Sequence, residues 1–192
     1  LARRLRRRSQ QPVNEQDVVS SSLAPLDQRT VRAVLDGQAV GRPDRLALSD
    51  EDRTLTYAGL RDEVRRRAAA LWRLDPHPGR RIAIMLHNHV DMAVTCLAVS
   101  YAPLVQVPVN VAYRGDVLAH QLLDASVDTL IVEAEFVDRI AMIAPALEGT
   151  LRRVIVRGTL SHPDLPFETI PLDDLDAVSD DDPALDIAPA AW

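Results

Sequence analysis

Four short apolar segments dominate what this chain can fold into. They read "RIAIML" from Arg81, "LVQVPV" from Leu104, "DTLIVE" from Asp128 and "RRVIVRG" from Arg152. Each is a near-continuous apolar run rather than an alternating one, as expected of strands covered on both faces. Between them lie stretches with helical spacing: "HVDMAVTCLAVSYA", "GDVLAHQLLDA" and "EFVDRIAMIAPAL". Strand and helix in strict alternation imply an α/β fold, a parallel sheet with right-handed βαβ crossovers.

The segments upstream follow a different pattern. A first helix is expected over about Leu26–Gln38, with Val31, Val34 and Leu35 on one face. A hairpin follows, with strands Leu46–Ser49 and Thr54–Thr56 around a turn at Asp50-Glu51-Asp52. Thr56 is the expected N-cap of a helix from about Tyr57 to Leu74, whose Leu60, Val64, Ala68 and Leu71 share a face. Arg65, Arg66 and Arg67 are expected on the solvated side. Three regions result: a basic and polar arm over residues 1–25, an α/β subdomain over 26–158, and a Pro- and Asp-rich connector over 159–192. The connector is expected to hold a strand near Phe167–Ile170 and a helical turn near Pro171–Ala177. The arm carries Arg3, Arg4, Arg6, Arg7 and Arg8 and reads as a solvated terminus; contact with an anionic surface is the sharper alternative.

Charge and residue choice narrow the chemistry. The net charge of -6 argues against a nucleic-acid binder. Apolar runs are too short or too interrupted to span a bilayer. The single cysteine, Cys96, excludes an internal disulfide and fits a cytoplasmic location. All 22 basic residues are Arg, so no lysine amine is available for a Schiff base or a phosphate contact. The seven glycines are scattered, and no glycine cluster offers a backbone cradle for phosphates.

The remaining candidates are better read structurally. His87 and His89, with Asp91 nearby, have the types but not the third ligand of a zinc site. Asn88 is the expected N-cap of the following helix. Cys96 lies in an apolar helix and reads as core. Ser20, Ser21 and Ser22 lack a nucleophile elbow. Glu133 and Glu135 stand at a strand end, where a carboxylate pair for glycoside cleavage is weighed against simple helix N-terminal charge. Asp173, Asp174, Asp176, Asp180, Asp181 and Asp182 form an acidic loop without calcium-loop spacing. "QVPVNVAYRGD", Gln106 to Asp116, is expected to be a corner: Pro108 ends the strand, Asn110 bonds the turn, and Gly115-Asp116 opens a helix.

Several of these segments, taken in order, resemble one family. "RPDRLALSDEDRTLTYAGLRDEVRRRAAAL" and then "GRRIAIMLHNHVDMAVTCLAVSYAPLVQVPVNVAYRGDVLAHQLLDASVDTLIVEAE" resemble the N-terminal part of adenylate-forming acyl-CoA synthetases. The wording of "PVNVAYRGDVLAHQL" is most similar to the branch that activates fatty acids or carnitine-like acids. Residues 28–158 carry the resemblance. The chain departs from the usual pattern at Ala102-Pro103, where a Gly-Ala pair is common, and at His87, where Pro is common.

The resemblance implies the flavodoxin-like half of such an enzyme. It also implies a two-step reaction. A carboxylate attacks the α-phosphate of ATP, with Mg2+ on the phosphates, to give an acyl-adenylate; the thiol of CoA then displaces AMP. The family's lysine-ended phosphate loop has no counterpart in these residues. No catalytic, cofactor-binding or metal-binding residue is therefore carried over, and the chain alone is expected to bind none of ATP, Mg2+ or CoA productively. It reads as truncated before the ATP phosphate loop and inactive by itself, with self-association or a complementing chain expected through exposed apolar surface. The alternative is a self-standing flavodoxin-like binding or scaffold module.

Overall fold

A computed structural model describes residue 25 and residues 29–159 and 165–176. Helix α1 spans Val31–Gly41, followed by strands β1 (Leu46–Ser49) and β2 (Thr54–Thr56) and helix α2 (Tyr57–Leu74). Then come β3 (Arg81–Met85), α3 (Val90–Tyr101), β4 (Val105–Pro108), α4 (Gly115–Asp124) and β5 (Thr129–Glu133). A 3-10 turn at Ala134–Phe136 leads into α5 (Val137–Leu147), and β6 (Arg153–Arg157), β7 (Glu168–Pro171) and α6 (Leu172–Asp176) complete the order.

The hairpin and α2 fall where their residues place them. Thr56 caps α2, its hydroxyl accepting from the Gly59 amide. Helix α1 starts later than expected, at Val31, because the Thr30 hydroxyl accepts from the Ala33 amide and fixes the N-cap there. Helix α3 is capped by His89, not Asn88: the His89 ring accepts from the Met92 amide and Asn88 is exposed. Pro103 lies two residues past the end of α3, where it cannot continue the helix.

The five-stranded sheet is parallel throughout, in the order β4-β3-β5-β6-β7. The step from β3 to β4 runs one way along the sheet; the steps from β4 to β5 and onward run the other. Alternation within the strands builds two cores. Ile82, Ile84, Ile131 and Ile155 face α2, α3 and α6. Ala83, Met85, Leu130, Val132, Val154 and Val156 face α4 and α5. Opposite steps over opposite faces have the same hand, as parallel crossovers require.

Strand β7 pairs with β6, and α6 returns to α2, burying Leu172 and Leu175 in the first core. Arg80 secures the amino ends of the sheet. Its buried guanidinium donates to Asp128, to the Thr129 hydroxyl and to the carbonyls of Leu71 and Asp75. The arm over residues 1–24, including Ser20–Ser22, and the acidic run Asp180–Asp182 lie outside the described residues. Among the described residues, no helix is long and apolar enough to cross a membrane.

Candidate functional site

In a parallel sheet, the crevice outside the carboxyl ends of the strands forms where the crossover direction reverses. Here that point lies between β3 and β5. The loop after β3 carries His87, Asn88 and His89; the turn after β5 carries Glu135 and Phe136. Glu133 itself ends β5, and Arg157 ends β6 beside it.

These residues are already engaged with one another. His89 Nε2 lies 2.6 Å from Glu133 Oε1, and the His87 amide donates to the same oxygen at 3.3 Å. The other Glu133 oxygen accepts from Arg157 at 3.3 Å. His87 Nε2 pairs with Glu135 at 2.9 Å, and its ring packs against Phe136 with centroids 5.1 Å apart. The two histidines thus hold different glutamates rather than one ion. Among the described residues, no cluster of histidine, cysteine and carboxylate side chains suits a metal. Glu133 and Glu135 have different side-chain partners, His89 and Arg157 for the first and His87 for the second. Glu133 is not merely helix N-terminal charge: it is buried and bound by His89, His87 and Arg157.

A second group of charges adjoins the first. Asp91, in the first turn of α3, receives Arg53 from the hairpin and Arg157 from β6, and lies 3.7 Å from Arg67 of α2. Burial alone would raise the Asp91 carboxyl. The Arg157 hydrogen bond and the charges of Arg53 and Arg67 outweigh it and hold the group below the usual aspartate range. Arg67 also donates to the Asp91 carbonyl at 3.2 Å and the Thr95 hydroxyl at 3.0 Å. Only 2% of it is exposed. This corrects the reading of Arg65–Arg67 as a solvated triplet: position 67 lies three residues after Val64 and four before Leu71, on the buried stripe.

The hairpin turn is tied to the same place. Asp50 Oδ1 accepts from the amides of Asp52 (3.0 Å) and Arg53 (2.9 Å), and Oδ2 accepts from the Val90 amide at 2.8 Å. The Val90 bond leads in holding the Asp50 carboxyl below its ordinary value. Sequence reasoning missed Arg53 and the roles of Asp50 and Asp91, which it had placed only in the turn and beside the two histidines. The Asp-rich turn was visible, but its partner lies forty residues away.

The corner after β4 is structural. Asn110 Oδ1 accepts from the Ala112 amide at 2.9 Å, an Asx turn, and Gln121 donates to the Pro108 carbonyl. Arg139 donates to the Val111 carbonyl while stacking over Phe136, 4.2 Å from the ring centre. Gly115 opens α4 at φ +52, a conformation suited to glycine. Cys96 is half-buried in α3, and burial raises its thiol. Asp173, Asp174 and Asp176 sit on α6. Elsewhere, an open cavity of about 590 Å³ lies beside α1, lined by Val31, Val34, Leu35, Tyr57, Leu60 and Leu97 among others.

The strand-end charges compensate one another. As placed, they fasten hairpin, α2, α3, β5 and β6 together.

Comparison with known proteins gives the context. The model of the "AMP-binding enzyme" family matches residues 35–189. A 3-[(3aS,4S,7aS)-7a-methyl-1,5-dioxo-octahydro-1H-inden-4-yl]propanoyl:CoA ligase of Mycobacterium tuberculosis (strain ATCC 25618 / H37Rv) is 37% identical over 131 residues, covering 67% of this chain and 26% of that protein. A 4-hydroxybenzoate–CoA/benzoate–CoA ligase of Rhodopseudomonas palustris is 31% identical over 132 residues, covering 69% of this chain and 24% of that protein. The crystal structure of a putative long-chain-fatty-acid CoA ligase from Rhodopseudomonas palustris superposes with a TM-score of 0.68 at 27% identity, covering 79% of this chain and 37% of that one. The chain spans about a quarter of the length of these two curated relatives.

Proposed function

The chain belongs to the AMP-binding enzyme family, and on that premise we propose that it serves as the N-terminal α/β part of an acid–CoA ligase. The reaction proposed is activation of a carboxylic acid with ATP to an acyl-adenylate and transfer of the acyl group to CoA. The match across residues 35–189 carries this reading.

The acid is proposed to be a fatty acid, supported by the wording of Pro108–Leu122. A second reading, an aromatic acid, is favoured by the similarity to the benzoate ligase. A cytoplasmic location, supported by the single Cys96, belongs to the same proposal.

The residues in hand do not fit ATP or Mg2+. Across all 192 residues there is no lysine and no glycine cluster. Among the described residues, Asp91 at the start of α3 is taken by Arg53 and Arg157, and Glu133 at the end of β5 by Arg157 and His89. No catalytic step is therefore assigned to this part. We propose that it is inactive by itself, builds one wall of the enzyme, and self-associates through exposed apolar surface.

A chimera tests the proposal. These residues replace the matching part of the Mycobacterium tuberculosis relative, and acid-dependent pyrophosphate exchange is measured over fatty and aromatic acids. The expected result is exchange by the chimera and none by this chain alone. A folded but inert chimera overturns the assignment to the synthetase; robust exchange by the chain alone overturns its inactivity.

A further inference from the structure

The His89 ring makes two hydrogen bonds with opposite demands. Its Nδ1 lies 3.1 Å from the Met92 amide, which can only donate, so Nδ1 carries a lone pair. The proton of the neutral ring is then on Nε2, where it donates to Glu133. Neutral His89 satisfies both neighbours at once. Imidazolium carries a proton on each nitrogen, and its Nδ1–H would face the Met92 N–H.

We propose that His89 is a pH-sensitive N-cap of α3. When neutral it bonds the Met92 amide and fastens the loop after β3 to β5; on protonation it releases the Met92 amide while its Nε2–H keeps the bond to Glu133.

The surrounding charges make the release local. Glu133 of β5 faces the ring and is itself held by Arg157 of β6. On α3, Asp91 is occupied by Arg53 of the hairpin, Arg67 of α2 and Arg157. Glu63 of α2 is held by Arg53. His87 of the same loop pairs with Glu135 of the turn after β5. Asp50 of the hairpin caps the Val90 amide independently of His89. Protonation of His89 therefore frees Met92 while Val90 stays bonded.

Amide hydrogen exchange and proton–nitrogen NMR of the full chain between pH 8 and pH 5 test this, with exchange rates corrected for the intrinsic pH effect. The Met92 amide is expected to shift with the same midpoint as the His89 ring. Its protection should fall about fivefold, the ratio for a cap of typical strength, while Val90 stays unchanged. A His89→Asn chain keeps a capping oxygen and should show pH-flat Met92 protection. A Met92 amide that ignores the ring titration overturns the proposal. So does equal loss at Met92 and Val90, which would mean general fraying. The wild-type measurement decides even if the variant fails to fold.

Discussion

Arg67 holds a charge in the interior beside fixed acceptors, among them the Asp91 carboxylate and carbonyl and the Thr95 hydroxyl. Such a cluster stabilises only while Asp91 stays ionised. Its pKa is lowered on folding, so its contribution is complete above the ordinary aspartate range, near pH 3.9, and is lost as pH falls through the lower folded value. Urea unfolding at pH 7, 4 and 3 is therefore expected to show little loss of this contribution down to pH 4 and a growing loss below it. In Asp91→Asn the chain is weaker at pH 7 and loses less on acidification; equal acid loss in both chains would count against the argument. The helical stripe of α2 already marked position 67 as inward. What masked it was the prior that Arg faces water, which holds unless a partner is buried with it.

Among the elements, α2, the hairpin and the central strands are local products of their own residues. Thr56, the apolar runs and the 3.6-residue spacing suffice to set them. Helix α6 is different. Five residues long, it has no independent stability as a helix. It exists because Leu172 and Leu175 are buried against α2 and the first core. Leu172 is 2% exposed, and Leu172→Ala is expected to cost about 2–4 kcal/mol, read from the urea midpoint. A loss under about 0.5 kcal/mol, the size of an ordinary surface change, would show that α6 is not anchored there. Helix α3 likewise begins where neighbours dictate: the hairpin's Asp50 and the ring of His89 supply its first bonds, so the expected cap at Asn88 fails.

For the whole molecule, apolar side chains remain at the surface: Val34 and Val40 on α1, Val117 on α4 and Met142 on α5, the last 81% exposed. The proposed self-association would use such side chains where they join into a contiguous patch. Light scattering over a range of concentrations is expected to show a mass above that of one chain, and a monomer at every concentration would refute it. The parallel α/β class, the hairpin and each central strand were legible because hydrophobic period and length are local properties of the chain. The strand-end site was barely legible, because its bonds join residues 24 to 66 positions apart. By itself, the sequence determined the order of elements, which faces are apolar, and the absence of lysine and glycine-loop chemistry. Tertiary structure alone decided that Glu133 meets His89, that Asp91 gathers three arginines and that α6 exists. Those outcomes depend on which side chains burial brings together, and long-range charge pairing leaves no periodic trace in the chain.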